Sequence, residues 1–184
     1  FRGIIVQHGH RIPRNRDLVR CDITGLVGFI LTEDWPEGFQ EGDFLEVILR
    51  GEPEFRSYRH NQVFDPCTRR AVRNYFMNGG DLLHVFGVCI SSFEQLSSLM
   101  VTSELFVSLI DRLRSEEDIA LLAAPAVAYL PCEVYSNGDI FAGCEAVYTL
   151  MLQHCVEMNN RFLIMDVPQN LHEELLVRWM EQIR

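Results

Sequence analysis

Three groups of residues have the types and spacing for chemistry. The first is His154-Cys155 with Asp166, from which a cysteine nucleophile, its base and an orienting carboxylate can be assembled. Neighbouring helical residues point about 100° apart, so His154 and Cys155 do not face each other. Cys155 therefore reads as a core residue. The second is His8-Gly9-His10, two imidazoles that a metal could take with help from elsewhere; on a polar arm they read as solvated histidines. The third is Asp166 alone, at the carboxyl end of an apolar strand, where α/β sheets place their ligands. As Asp166-Val167-Pro168 it also reads as a turn that caps the next helix, and this is the preferred reading.

Other signatures of catalysis are missing from the sequence. All 16 basic residues are Arg, so a phosphate-loop lysine and Schiff-base chemistry are excluded within this stretch. There is no G-x-G-x-x-G after a strand, no serine elbow, no H-E-x-x-H and no C-x-x-C. The expectation is a non-enzyme with no catalytic residue, no metal and no cofactor. Six cysteines (Cys21, Cys67, Cys89, Cys132, Cys144, Cys155) lack the spacing of a secreted disulfide framework, which points to a reducing compartment.

The elements that would position these residues follow from periodicity. Strands are expected near 23–31, 44–49, 82–90, 119–124 and 161–166, and helices near 66–78, 103–114, 139–156 and 171–183. A short helical turn fits 93–99. The clearest unit is the helix from Asp65-Pro66, a cap and a first helical residue, to Asn78-Gly79-Gly80, whose left-handed positions end it. Leu82 to Ile90 follows as a strand apolar at nearly every position, as burial on both faces requires. Asp139 is expected to cap the helix after the Tyr129–Gly138 loop, and Gly51 and Pro53 to close the 44–49 strand. The acidic loop 32–43 offers Trp35 and Phe39 as exposed aromatics. The fold class is α/β, a mainly parallel sheet with helices on both faces.

At 21.3 kDa the chain fits one domain, here 21–184, preceded by an N-terminal arm or linker at 1–20. No apolar run approaches the ~20 residues that span a bilayer, so direct membrane insertion is not expected. The start at Phe1 does not read as a signal peptide, and with no initiating Met the chain reads as part of a longer one. A net charge of −10 argues against nucleic acid as a partner.

As a string, Ala71–Gly80 resembles the "AV…FF.NGG" signature that precedes a core strand in contractile tail sheath proteins, the subunits of phage tail sheaths and related bacterial injection systems. Asp22–Ile30 resembles that family's first core strand, Asp118–Pro125 its "D…LLa.P" strand and Arg161–Pro168 its "RFaiLD.P" strand. The four pieces occur in family order over roughly residues 20 to 184. The resemblance implies a subtilisin-like sheath core, partial here, in a structural protein. Such a subunit polymerises helically around an inner tube, meets baseplate components, and contracts to drive the tube through a target envelope. It would assemble in the cytoplasm as part of a phage tail or a related particle. An interaction or baseplate module of such a particle, and a cysteine hydrolase, are the alternatives.

Assembly gives meaning to the charge pattern. Arg69, Arg70 and Arg73 fall on the polar side of the 66–78 helix, and like charges there are unfavourable in an isolated domain. The acidic block offers Glu33, Asp34, Glu37, Glu41, Asp43 and Glu46 as counterparts. The basic helix face is expected to meet an acidic surface of a neighbouring copy, fixing register more than adding affinity. Arg-only usage has a second explanation in a GC-rich genome.

Overall fold

The computed structural model describes residues 3–6, 23–57, 62–130, 132–134, 140–142, 144–169 and 171–182. His8, His10 and most of the expected 1–20 arm lie outside them. In chain order the elements are β1 (Gly3–Val6), β2 (Thr24–Leu31), β3 (Phe44–Leu49), α1 (Glu52–Ser57), α2 (Pro66–Met77), β4 (Leu83–Ile90), α3 (Leu99–Ser115), β5 (Leu121–Ala123), β6 (Cys132–Val134), β7 (Ile140–Ala142), α4 (Glu145–Met158), β8 (Phe162–Asp166) and α5 (Glu173–Gln182). Short 3-10 turns occupy Thr32–Asp34, Phe93–Ser97 and Pro125–Tyr129.

Six strands form one mixed sheet in the order β1-β8-β5-β2-β4-β3. The central four, β8, β5, β2 and β4, are parallel, and β1 and β3 add antiparallel edges. The chain runs outward from β2 to β4, then crosses back to β5 and β8, so strand order reverses between β2 and β5. Such a reversal opens a crevice at the carboxyl ends of the two strands.

Period-two alternation divides the core between the two faces. Leu26, Val47, Leu49, Leu83 and Val85 pack with Phe55 of α1 and Ala71 and Val72 of α2. Val27, Phe29, Phe86, Val88, Leu163 and Met165 pack with Phe106 and Leu109 of α3, Val147 and Met151 of α4 and Trp179 of α5. The sheet is α/β with helices on both faces, as expected. No helix among the described residues is long and apolar enough to cross a membrane.

The turn after α2 shows why its sequence is so legible. Gly79 takes a φ of +88°, its N–H donates to the Phe76 carbonyl and that of Gly80 to Tyr75, which satisfies two carbonyls the helix leaves unpaired. A Cβ on Gly80 would lie 2.2 Å from the Tyr75 ring, whose hydroxyl donates to the Leu82 carbonyl at 2.8 Å. Asn78-Gly79-Gly80 thus folds the helix end onto the start of β4.

The 44–49 strand ends at Leu49, before Gly51 and Pro53, as expected, but the helix that follows it, Glu52–Ser57, is not among the expected elements: Glu54 accepts from the Arg50 N–H at 2.6 Å, and Glu52 pairs with Arg56 one turn on. Four expectations need correction. The expected loop 129–138 contains β6, which pairs with β7 as a hairpin. The helix expected from Asp139 therefore starts at Glu145, after Cys144, which supplies no side-chain cap; Asp139 itself lies outside the described residues. Residues 3–6 of the expected arm are a strand, with Gly3 opposite Asp166 and Val6 opposite Leu163. Trp35 and Phe39 are half-buried, and the Trp35 indole N–H donates to the Ile30 carbonyl at 3.0 Å.

Candidate functional site at the carboxyl edge and on α2

The crevice at the strand reversal is real. Asp65 fixes its rim: one carboxylate oxygen accepts from the Thr68 N–H at 2.8 Å, the other from the Thr68 hydroxyl at 2.7 Å and the Phe29 N–H at 3.0 Å. The α2 N-terminus is thereby capped and tied to β2. Beside it lies a cavity of about 470 Å³ lined by Cys67, Arg70, Tyr129, Asp166 and Gln169 over an apolar floor that includes Pro125 and Pro168. Tyr129 hydrogen-bonds Cys67, while burial first and the Asp65 charge second push the Cys67 thiol up. Burial likewise pushes the Asp166 carboxyl up. A nucleophile needs a thiolate and a base. Burial thus disfavours both charged forms, and no histidine is among the described residues that line the cavity.

Asp166 is not the cap of the next helix, because α5 starts only at Glu173. Its carbonyl accepts from the Tyr148 hydroxyl at 2.9 Å, and its side chain also borders an open trough of about 520 Å³ floored by Leu26, Ala123 and Ile164 and walled by α2.

The His154-Cys155-Asp166 triad is ruled out by distance along the sheet. Asp166 ends β8, whereas His154 sits with Arg161 just before β8 begins. At about 3.3 Å per residue the two ends are about 15 Å apart. Cys155 is buried among α4 core residues, and burial pushes its thiol up to about 11. Burial, with Arg161 second, lowers His154 to about 4.

Arg161 is the residue that sequence reasoning missed. It is buried, yet among the described residues it makes no ion pair with a carboxylate. Its Nη1 donates to the Leu113 carbonyl and faces His154 Nε2, both at 3.0 Å; Nη2 donates to the Glu116 carbonyl at 2.7 Å and Nε to Asn160 Oδ1 at 3.2 Å. These carbonyls belong to the end of α3, where Leu113 accepts only the Glu116 N–H besides and the negative end of the helix dipole lies. The guanidinium caps that helix from 45 residues away in sequence. Only an unusual Arg before an apolar strand signalled it.

The arginines of α2 do not form one patch. Arg70 turns to the carboxyl-edge cavity, since it lies about 100° round the helix from Arg69. Arg69 and Arg73, four residues apart, share the other flank with Arg56 of α1 around a hollow of about 170 Å³ that also includes Glu52, Phe55 and Gln62. Glu52 Oε1 accepts from Arg56 Nε and Nη2 at 2.9 and 2.7 Å and lies 3.4 Å from Arg73 Nε.

The six acidic candidates divide as well. Glu46 is taken inside the fold: Arg112 reaches its two oxygens at 2.7 and 3.1 Å, and His84 Nδ1 lies at 3.2 Å. Glu41 is held by Ser91 and Gln95, whose hydrogen bonds keep its carboxyl below the ordinary range. Asp43 accepts from the Gln40 N–H at 2.8 Å. Glu33, Asp34 and Glu37 are exposed and make no ion pair among the described residues. No protein-family model matches the chain, and no curated protein matches it.

Proposed function

We propose that this chain is a structural subunit of a contractile tail sheath, with a subtilisin-like core, and not an enzyme. It would polymerise helically around an inner tube, contact baseplate components and contract, as part of a phage tail or related particle assembled in the cytoplasm. Nucleic acid would not be its partner, and it would not insert directly into a membrane. One observation carries the reading. The four segments that resemble the sheath family fall, in order, on β2, on α2 with β4, on β5 and on β8, the four neighbouring parallel strands of one sheet. A chance set of short matches has no reason to land on every member of a single parallel core.

The carboxyl edge supports the same side of the question. In a doubly wound sheet that edge is where a catalytic set would stand, and here burial pushes both the Cys67 thiol and the Asp166 carboxyl up, away from the charged forms a nucleophile and a base need, with no histidine among the described residues that line it. Assembly needs only that one patch meets a different patch on the next copy, which propagates a filament. Contraction would repack those contacts between rigid cores. Electron microscopy of the complete protein, alone and with its tube partner, tests this. Stacked rings or helical tubes are expected; dispersed monomers under every condition would overturn the reading in favour of a globular interaction module.

A further inference from the structure

We propose that the hollow between α1 and α2 receives the acidic turn at residues 33–37 of a second copy of this chain. The inference rests on the assembly reading and names the contact. Among the described residues the hollow gathers Arg56, Arg69 and Arg73 around the carboxylate of Glu52, a formal charge of +2. One oxygen of Glu52 already takes both donors of Arg56 and the approach of Arg73. Among the described residues Arg69 pairs with no carboxylate. The Arg73 side chain is 63% exposed, so its fork is open to a further oxyanion. Planar guanidinium groups take carboxylates two oxygens at a time, which fixes orientation as well as proximity.

The counterpart is on the same chain. Glu33, Asp34 and Glu37 carry a formal −3 on a short turn, and all three are exposed. The Trp35 indole anchors that turn to the end of β2 through the Ile30 carbonyl, so its carboxylates project from a fixed base. Of the other acids of the block, Glu46 is ion-paired within the fold and Glu41 and Asp43 are hydrogen-bonded to neighbouring groups of the chain, whereas Glu33, Asp34 and Glu37 make no ion pair among the described residues. The hollow lies beside α1 and α2 on one face of the sheet, and the turn lies at the carboxyl end of β2. Two different patches make a head-to-tail contact that continues from copy to copy. Complementary charge also steers the encounter and suppresses wrong registers. The net charge of −10 disfavours a nucleic-acid phosphate in the same hollow.

Charge exchange between copies tests it. Arg69→Glu with Arg73→Glu makes both patches acidic, and Glu33→Arg with Asp34→Arg makes both basic. Each variant alone should self-associate about a hundredfold more weakly than wild type by sedimentation, because like charges then oppose across the contact. Mixed together the two should assemble again, as should a chain carrying all four changes. Should a reversal fail to fold, Arg69→Gln with Arg73→Gln gives the same readout, with weaker assembly expected. Assembly of Arg69→Glu/Arg73→Glu at wild-type strength, or a mixture that stays dispersed, would overturn this contact while leaving the sheath reading in place. A wild type that never assembles overturns both. Duplex DNA or inorganic phosphate binding that needs Arg69 and Arg73, without self-association, would also overturn it.

Discussion

Arg161 and Arg69 show two uses of the same side chain. At the amino end of β8, Arg161 is 5% exposed and every nitrogen of its guanidinium has a partner in the chain. Between α1 and α2, Arg69 is half-buried and lies with Arg56 and Arg73 around one shared carboxylate. The first charge is consumed in closing the fold, by capping α3 and fixing His154. The second is left over by the fold. A surplus of like charge in one place is unfavourable for an isolated domain, and its use has to be sought in another molecule.

The widest gap between the two sites should appear in stability. Arg161→Leu removes the guanidinium from the Glu116 carbonyl, from buried His154 Nε2 and from the Leu113 carbonyl, which keeps only the Glu116 N–H. It should cost about 3–4 kcal/mol, read as a lower urea midpoint. Lysine there should recover only part of the loss, since one ammonium cannot span the fork.

A second, comparable effect is pH-dependent and confined to the Arg161 site. His154 titrates at about 4 when folded, held down first by burial and then by the Arg161 charge. Its unfolded value is about 6.5, so between the two the unfolded chain binds a proton that the folded chain does not. Stability from this group is complete above about pH 6.5, falls as pH drops toward 4, and falls no further below it. The total loss is about 3 kcal/mol. Replacing His154 with Gln, which keeps an acceptor for Arg161, should flatten urea midpoints over that window; an unchanged slope would show that His154 does not titrate as described.

The smallest effect belongs to the hollow. Arg69→Glu with Arg73→Glu removes one exposed pair to Glu52, and such pairs contribute little. The monomer's thermal midpoint should move by no more than about 2 °C. A large drop would mean that these arginines serve the fold, and the contrast with Arg161 would be lost.

Legibility in the sequence follows the same division. The helix α2 and the strands β2, β4 and β8 were readable because capping, turn glycines and unbroken apolar runs act locally. The helix α1 was not, since six residues give periodicity too little to repeat, and with it went Arg56 as a neighbour of Arg69. Asn137-Gly138 between two short apolar stretches was a hairpin signal, and reading Asp139 as a helix cap hid it. The types at the candidate sites were readable, but their company was not. Arg70 turns away from Arg69 by one helical step, and Glu46 finds Arg112 from 66 residues away. Arg161 reads as the first letter of a strand until its partners at the end of α3 are placed beside it.

The central claim is that the fold spends the charge of Arg161 and leaves that of the hollow for another copy. Sedimentation of the wild-type chain from about 50 mM to about 500 mM NaCl, with urea midpoints at the same salts, tests it most directly, because exposed charges are screened and buried ones much less. Self-association should weaken steeply with salt while the urea midpoint of the monomer stays nearly level. Association indifferent to salt, or a chain that remains monomeric throughout, would contradict the account.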